Sequence, residues 1–73
     1  MKAIMIDKKK IISLENVRSI QFHEGGSGAK SNPFYYNIYI HYKDDIGEET
    51  PQTNDKNKAY EWFNQMYAIL TAD

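Results

Sequence analysis

The sequence predicts an α+β domain, in which a twisted antiparallel sheet of four to five strands is covered on one face by a C-terminal helix. Three observations predict this fold class. Short isoleucine-rich segments fill the first part of the chain, and residues 34–43 alternate strictly between two sets of side chains. After about residue 54, apolar residues recur with the 3.6-residue period of a helix. Because the chain has 73 residues, we expect residues 1–73 to form a single small domain.

The first two strands are predicted at residues 2–6 and 11–14, which are short apolar segments rich in isoleucine. The polar tetrad Asp7-Lys8-Lys9-Lys10 separates them, and this spacing suits a hairpin. The tetrad lacks the glycine that a tight primed turn prefers. A short polar break, Glu15-Asn16, predicts a corner or bulge before the next strand.

The third and fourth strands are predicted at residues 17–24 and 34–43, joined by a long, flexible, glycine-rich loop at 25–32. Both segments alternate, so the apolar side chains of the two strands must share one face. A register with Phe22 opposite Tyr36 meets this requirement, and a slip by two residues meets it equally well. We therefore expect one face that the helix covers and a second face that also carries large aromatic side chains.

The last two elements are a weak fifth strand at residues 47–53 and a helix at residues 55–71. The segment 47–53 has almost no apolar side chain, and Pro51 cannot donate to a β-ladder, so we expect an edge strand or an extended loop. Thr53, Asn54 and Asp55 are all acceptable N-caps for the helix, and Asp55 also lies favourably at the positive end of the helix dipole. Trp62 lies on one shoulder of the apolar stripe. The centre of the stripe consists of Ala59, Phe63, Met66 and Leu70.

Composition and charge exclude several classes of function. The chain has no cysteine, which excludes disulfides, thiolate metal sites and cysteine nucleophiles. Nine basic and ten acidic residues give a net charge of -1, which argues against a dedicated polyanion binder. The longest apolar run, residues 3–6, is too short to span a bilayer or to act as a signal peptide. We therefore expect a cytoplasmic protein with no membrane span.

Three motifs are candidates for site chemistry, and each has a simpler interpretation. In the glycine-rich loop, Lys30 follows Ala29 instead of glycine and no helix follows, so a mobile hairpin tip is favoured over a phosphate-binding loop. The register above separates His23 from His41 by about 20 Å, too far to share one metal ion. An acidic turn departs from the spacing of calcium loops, which favours a solvated turn; its carboxylates are Asp44, Asp45, Glu48 and Glu49. We therefore predict no enzyme activity, no cofactor and no metal.

The excess of aromatic side chains predicts a non-catalytic binding or assembly module. One helix covers only one sheet face, and small domains without disulfides or metals commonly gain stability by association. We therefore expect self-association, with a homodimer as the first expectation and another protein as the second type of partner. The apolar arc of the helix is wide enough to leave one shoulder for a partner. The candidate interface residues are Val17, Tyr35, Tyr39, His41, Tyr60 and Tyr67.

The alternative function is binding of nucleic acid or of an anionic ligand such as a phospholipid. Six of the nine basic residues lie within the first 30 positions, and exposed tyrosines can stack on bases. The chain has a single arginine, so bidentate recognition of phosphate is poorly served and nucleic-acid binding is disfavoured. The candidate anion contacts are Lys8, Lys9, Lys10 and Arg18.

Two local patterns carry a resemblance to a known family. Residues 12–20 read Ile-Ser-Leu-Glu-Asn-Val-Arg-Ser-Ile, and residues 58–63 read Lys-Ala-Tyr-Glu-Trp-Phe. The first resembles the strand, polar corner and strand of small bacterial pleckstrin-homology-like domains, and the second resembles their capping helix. The resemblance implies that Trp62 plugs a partial barrel, and that the domain is a scaffold for protein or ligand binding without catalytic activity.

The resemblance also implies how this chain differs from the family. It has room for five strands where the family has seven, so the barrel is expected to be truncated or completed by another chain. Lys8 to Lys10 occupy the place of the family's basic lipid-binding motif, but the arginine of that motif is missing. The resemblance therefore favours a binding scaffold over a phosphoinositide-binding domain.

Overall fold

The computed structural model describes residues 2–72 and confirms the α+β class, with five antiparallel strands and one C-terminal helix in that range. The elements begin and end within one residue of the predicted bounds, except that the fifth strand ends at Glu49. No helix within residues 2–72 is long and apolar enough to cross a membrane. In chain order, the elements are β1 (Ala3–Ile6), β2 (Lys10–Ser13), β3 (Val17–Gly25), β4 (Tyr35–Tyr42), β5 (Gly47–Glu49) and α1 (Lys56–Thr71).

The five strands are divided between two sheets. β1 pairs with β2, and the second sheet has the strand order β3-β4-β5. The division lies at the predicted polar corner, where Asn16 has a left-handed φ of 57° that asparagine tolerates better than most residues. The Asn16 carbonyl accepts a hydrogen bond from the Lys43 N–H at 2.8 Å. The corner therefore directs the chain away from the first hairpin and into pairing with β4.

The hairpin of β1 and β2 closes through a turn whose central residues are left-handed. Asp7 and Lys8 have φ values of 51° and 59°, and the Lys9 N–H donates to the Ile6 carbonyl at 3.0 Å. Positive φ at both central positions is typical of the primed turn that matches the twist of a hairpin. The chain adopts this conformation without a glycine. The Asp7 carboxylate also forms an ion pair with Lys58 of α1, at 2.7 Å.

β3 and β4 pair with the predicted faces but at the second of the two allowed registers. Phe22 lies opposite Ile38, and Ile20 lies opposite Ile40, which is a slip of two residues from the register given above. Ile38 and Ile40 are buried, and Ile20 and Phe22 pack against them. Both registers bury the same set of side chains, so the alternating pattern could not distinguish them.

One predicted position on the second face of the sheet was wrong. A β-bulge between Val17 and Ser19 inserts an extra residue, Arg18, and reverses the alternation at the start of β3. Val17 therefore lies opposite Tyr42 and packs against the core. It does not belong to the surface that Tyr35 and Tyr39 share.

The fifth strand is short because regular pairing is interrupted at a buried threonine. The Thr50 N–H donates to the Ile38 carbonyl, and the Thr50 hydroxyl accepts from the Ile38 N–H, both at 2.9 Å. Pro51 follows and has no N–H to donate. Pairing resumes at Thr53, which exchanges two backbone hydrogen bonds with Tyr36. The side chain of Thr50 thus replaces the backbone acceptor that a regular strand would supply.

The glycine-rich loop between β3 and β4 folds back on itself. The N–H groups of Ser27 and Gly28 both donate to the Asn32 carbonyl, at 3.0 and 3.1 Å. Gly26 and Gly28 have φ values of 87° and 84°, which glycine adopts without strain. The Phe34 ring rests on Gly28, where a Cβ would overlap it. The glycines therefore shape a defined turn.

Helix α1 covers the core face of the second sheet and also contacts β1. Asp55 caps the helix by accepting a hydrogen bond from the Lys58 N–H at 3.2 Å. Trp62 is 5% exposed and lies in the core. The core draws on both sheets and the helix, and its buried apolar residues are Ile4, Ile6, Ile12, Leu14, Ile38, Ile40, Ala59, Trp62 and Met66.

Candidate functional site

The candidate site is the face of β3 and β4 that points away from the core. Gln21 and Tyr39 lie directly opposite each other on this face, with His23 on one side of them and His41 on the other. These four side chains line a shallow depression of about 270 Å³. Tyr35 lies beside His23 at one end. We call this surface the outer sheet face and define it as Gln21, His23, Tyr35, Tyr39 and His41.

At one end of the outer sheet face, a tyrosine rests on a glycine and beside a histidine. Gly25 is the cross-strand partner of Tyr35, and a Cβ at Gly25 would overlap the tyrosine ring. The rings of Tyr35 and His23 are stacked, with centroids 6.1 Å apart and an interplanar angle of 19°. The missing side chain of Gly25 therefore makes the space that the ring occupies.

The same arrangement recurs at the other end of the outer sheet face. Tyr39 lies over Gly47 of β5, where a Cβ would again overlap the ring. The Tyr39 and His41 ring centroids are 4.5 Å apart, and the rings are tilted by 39°. Each tyrosine thus rests on a glycine of a neighbouring strand and has a histidine ring beside it, and these contacts restrain the ring before any partner binds.

The glycine contacts also reduce how much ring surface the outer sheet face exposes. Tyr39 is 37% exposed and Tyr35 is half-buried, because part of each ring rests on its own chain. The apolar surface available for association is therefore smaller than the aromatic count of the sequence suggests. What remains is a flat surface that offers ring faces, imidazole nitrogens and phenol hydroxyls.

The two histidines are closer together than predicted, but they are still far apart for one chain to hold a metal ion between them. His23 pairs with Asn37 and His41 with Ser19, so four positions along the strands separate them, about 13 Å at ~3.3 Å per residue. Within residues 2–72, neither imidazole makes a hydrogen bond or an ion pair. Those residues also contain no group of three or more His, Asp or Glu side chains that could hold a metal ion.

A buried amide adjoins the outer sheet face. Asn37 occupies the β4 position between Tyr35 and Tyr39 and is 2% exposed. Its Nδ2 donates to Glu49 Oε2 at 3.2 Å, whereas its buried Oδ1 has no hydrogen-bond partner within the part of the chain that the structure describes. An unpaired buried carbonyl costs about 1–3 kcal/mol. Such departures from the most stable arrangement are typical of functional sites.

The remaining predicted interface residues do not join the outer sheet face. Val17 lies on the core side, as described above. Tyr60 of α1 is 43% exposed, and its ring stacks on Phe22 on the core side of the sheet, with centroids 4.4 Å apart and an interplanar angle of 12°. Tyr67 is 62% exposed on the same helix, which covers the opposite face of the sheet. The six candidates are therefore distributed over three different surfaces.

The predicted anion contacts are also dispersed, and two of them are paired with carboxylates. Lys10 forms an ion pair with Glu48 at 3.0 Å, and Arg18 forms one with Asp45 at 3.2 Å. Glu48 and Asp45 both belong to the acidic turn, so each ion pair partly neutralises one basic side chain and one carboxylate of that turn. Lys8 and Lys9 remain exposed at the turn between β1 and β2.

Gln21, His23 and Asn37 belong to this site but were not among the predicted interface residues. The alternation of residues 17–24 was the available signal, because it places Gln21 and His23 on the same face as the two tyrosines. The contacts of the tyrosines with glycine left no such signal, because they depend on the absolute register. The burial of Asn37 depends on tertiary contacts, so the alternating pattern of β4 does not predict it.

No family model, curated protein or solved structure matches this chain. The resemblance to pleckstrin-homology-like domains therefore stays a prediction.

Proposed function

We propose that this chain is a non-catalytic binding module that associates with a second copy of itself through the outer sheet face. The observation that carries the proposal is the pair of tyrosine–histidine ring contacts, one stacked and one tilted, on a sheet face that α1 leaves uncovered. Each of the two tyrosines also rests on a glycine. A scaffold role of this kind is also what the pleckstrin-homology-like resemblance implies. The cytoplasmic location expected from the sequence remains part of the proposal.

Preorganisation is the main physical support for a binding role. Tyrosine supplies a large contact area with few rotatable bonds, and restraining its ring in advance lowers the entropy lost on association. Gln21 and Tyr39 lie opposite each other near the middle of this face and carry no formal charge at pH 7, which suits the desolvated centre of an interface. The unsatisfied amide of Asn37 is consistent with a surface that is not optimised for the stability of the isolated chain.

The non-catalytic part of the proposal rests on how the histidines are placed. A general base is normally oriented by a second group within hydrogen-bond distance, and its pKa is tuned by that neighbour. His23 and His41 each lie beside a tyrosine ring and have no such partner within residues 2–72. This arrangement favours a role in packing or ligand contact over proton transfer.

Analytical ultracentrifugation in EDTA tests self-association directly. We expect the sedimentation coefficient to rise with chain concentration, and we expect Tyr39→Glu to remain monomeric because its charge would be buried at the interface. Tyr67→Glu is the matched control, since it adds the same charge on the opposite side of the sheet and should leave dimerisation unchanged. Circular dichroism confirms that both variants fold.

Two outcomes of this experiment would contradict the proposal. A wild-type chain that stays monomeric up to about 1 mM would exclude self-association of useful strength. If Tyr67→Glu prevented dimerisation and Tyr39→Glu did not, the interface would lie on the helix and not on the outer sheet face.

Anion binding is the second candidate function, and one observation favours it. Lys8 and Lys9 are exposed at the β1–β2 turn and have no carboxylate partner within residues 2–72. Binding to a single-stranded oligonucleotide or to anionic vesicles should weaken steeply as salt rises towards about 0.5 M, whereas a dimer held by ring packing should persist. Salt-sensitive binding would establish this alternative if it is lost in a variant that carries both Lys8→Ala and Lys9→Ala.

A further inference from the structure

β3 is an edge strand, and within residues 2–72 only β4 and α1 lie against it. The even-numbered residues of β4, such as Tyr36 and Tyr42, direct backbone hydrogen bonds away from β3, to the β5 side. Backbone groups alternate in direction along a strand, so the odd-numbered residues of β4 bond to β3, and their partners in β3 are also odd-numbered. The N–H and C=O groups of Ile20, Phe22 and Glu24 therefore point outward, and they have no hydrogen-bond partner in the described part of the chain. We call these three residues the free edge of β3.

The opposite edge of the same sheet is protected against strand pairing, and the free edge of β3 is not. β5 has three residues, two of them glutamates, and Lys10 of β2 donates a hydrogen bond to the Glu49 carbonyl at 3.4 Å. Short length and charge are common protections of an edge strand. β3 has nine residues, and its centre, residues 19–23, contains no lysine, carboxylate or proline. An unprotected edge of this length is a template for one more extended chain.

An exposed aromatic stripe of α1 lies next to the free edge. The Tyr60 ring stacks on Phe22 of β3, so this side of the helix faces the edge strand. Tyr67 follows two turns later on the same side of α1 and is more exposed than Tyr60. We call Tyr60 and Tyr67 the helix shoulder. An extended chain beside β3 directs alternate side chains to the face that α1 covers, which is where the shoulder lies.

We propose that the free edge of β3 binds an extended peptide segment of another protein, which adds a strand to the sheet and packs apolar side chains against the helix shoulder. The outward backbone groups select an extended backbone, and the shoulder selects a segment in which apolar residues alternate with polar ones. A second copy of this chain fits less well through its own β3, because Ile20 and Phe22 already pack into their own core and are not free to cover a second shoulder. The free edge is separate from the outer sheet face, so this inference does not depend on the proposed dimer.

Amide hydrogen exchange followed by NMR tests both the free edge and its occupant. In the isolated chain, the amides of Ile20 and Phe22 should exchange faster than those of Gln21 and His23, which bond to β4. The probe is a peptide selected on the folded chain from a phage-displayed library of random sequences. At saturation, this peptide should slow the exchange of the Ile20 and Phe22 amides at least about tenfold, because an added strand occupies them.

Variants measured by isothermal titration calorimetry locate the bound peptide. Glu24→Pro removes an outward N–H without breaking a bond to β4, and its ring blocks the approach of an added strand. It should raise the peptide dissociation constant at least about tenfold relative to Glu24→Ala, which is the matched control because it keeps the N–H. Tyr67→Ala should raise the constant about fivefold by removing one ring of the shoulder, whereas Tyr39→Ala on the outer sheet face should leave it unchanged. Circular dichroism confirms that each variant folds.

The remaining outcomes separate this inference from the proposed function. Equal affinity of the peptide for Glu24→Pro and Glu24→Ala, unchanged exchange at Ile20 and Phe22, or a library that yields no binder would each overturn strand addition at β3. A dimer that Glu24→Pro abolishes in the ultracentrifuge would also overturn it, because the free edge would then pair with a second copy. A chain that stays monomeric and still binds the peptide through the free edge would overturn the proposed dimer and leave this inference standing.

Discussion

At the scale of the residue, Tyr42 connects the two sheets. Its hydroxyl donates a hydrogen bond to the Ser13 carbonyl oxygen at 2.6 Å, joining β4 to the end of β2. Burial raises the pKa of Tyr42, and the nearby carboxylates of Glu48 and Asp44 raise it further. All three causes disfavour the phenolate. The fold therefore stabilises the neutral form of the Tyr42 side chain, which is the form that donates the hydrogen bond.

Replacing Tyr42 with phenylalanine should remove this hydrogen bond and part of the decrease in the free energy of unfolding at alkaline pH. Near pH 7 the loss of the hydrogen bond should lower the free energy of unfolding by about 1 kcal/mol. Because the folded pKa is raised, the contribution of Tyr42 is complete below its unfolded pKa of about 10 and is lost as pH rises through the folded pKa. The difference between wild type and Tyr42→Phe should therefore shrink above about pH 10.

Urea unfolding at a series of pH values measures this difference. Tyr67→Phe is the control, because its side chain is exposed and the substitution should change the free energy of unfolding at pH 7 by less than about 0.5 kcal/mol. A gap between wild type and Tyr42→Phe that widens as pH rises would show that Tyr42 is not stabilised in its neutral form.

At the scale of the element, the hairpin of β1 and β2 shows tertiary contacts overriding local preference. A left-handed conformation costs a residue other than glycine roughly 1–2 kcal/mol, yet both Asp7 and Lys8 adopt it. The hairpin gains in return the burial of Ile4, Ile6 and Ile12 against the second sheet and the helix. The ion pair of Asp7 with Lys58 lies at the surface and adds little to that gain.

Lys8→Gly should relieve the strain of this turn. Glycine adopts positive φ freely, but it also increases the entropy of the unfolded chain, so we expect a net stabilisation of about 0.5 kcal/mol. Lys9→Gly is the control, because Lys9 is not left-handed and the change should destabilise by roughly the same amount. Chemical denaturation compares the two variants, and equal effects would show that the turn is not strained at Lys8.

At the scale of the whole molecule, one core joins elements that are far apart in sequence. Residues of the first hairpin, of β4 and of α1 meet in a single buried cluster, so no element can bury its apolar side chains alone. The largest side chain in this cluster belongs to Trp62. A chain of 73 residues has a free energy of unfolding on the order of 4–11 kcal/mol, so one core residue can account for much of it.

Trp62→Ala should lower the free energy of unfolding by about 3–5 kcal/mol, because it removes the largest buried side chain and leaves a cavity among both sheets and the helix. Tyr67→Ala, on the exposed side of the same helix, should cost less than about 0.5 kcal/mol. Thermal unfolding followed by far-UV circular dichroism measures the stability of the two variants and of the wild type. A folded Trp62→Ala chain that loses less than about 1 kcal/mol would show that the indole does not support the core.

The alternation of the strands and the period of the helix predicted the elements and, except at Val17, the face on which the side chains of β3 and β4 lie. They predicted that Ile38 and Ile40 face the core and that Tyr35, Tyr39 and His41 do not. They could not choose between registers two residues apart, because both bury the same side chains. Nor could they show that Tyr35 rests on a glycine, since that contact exists at only one of those registers.

Short-range periods in the sequence were enough to predict the class of fold, the order of its elements and, apart from Val17, the side of each long strand that faces the core. The three-dimensional arrangement was needed to establish the division into two sheets, the bulge that turns Val17 inward, and the glycines on which the outer tyrosines rest. Each of these depends on contacts between residues distant in the chain. The energy of such a contact depends on both segments that meet, so the residue pattern of one segment does not predict it.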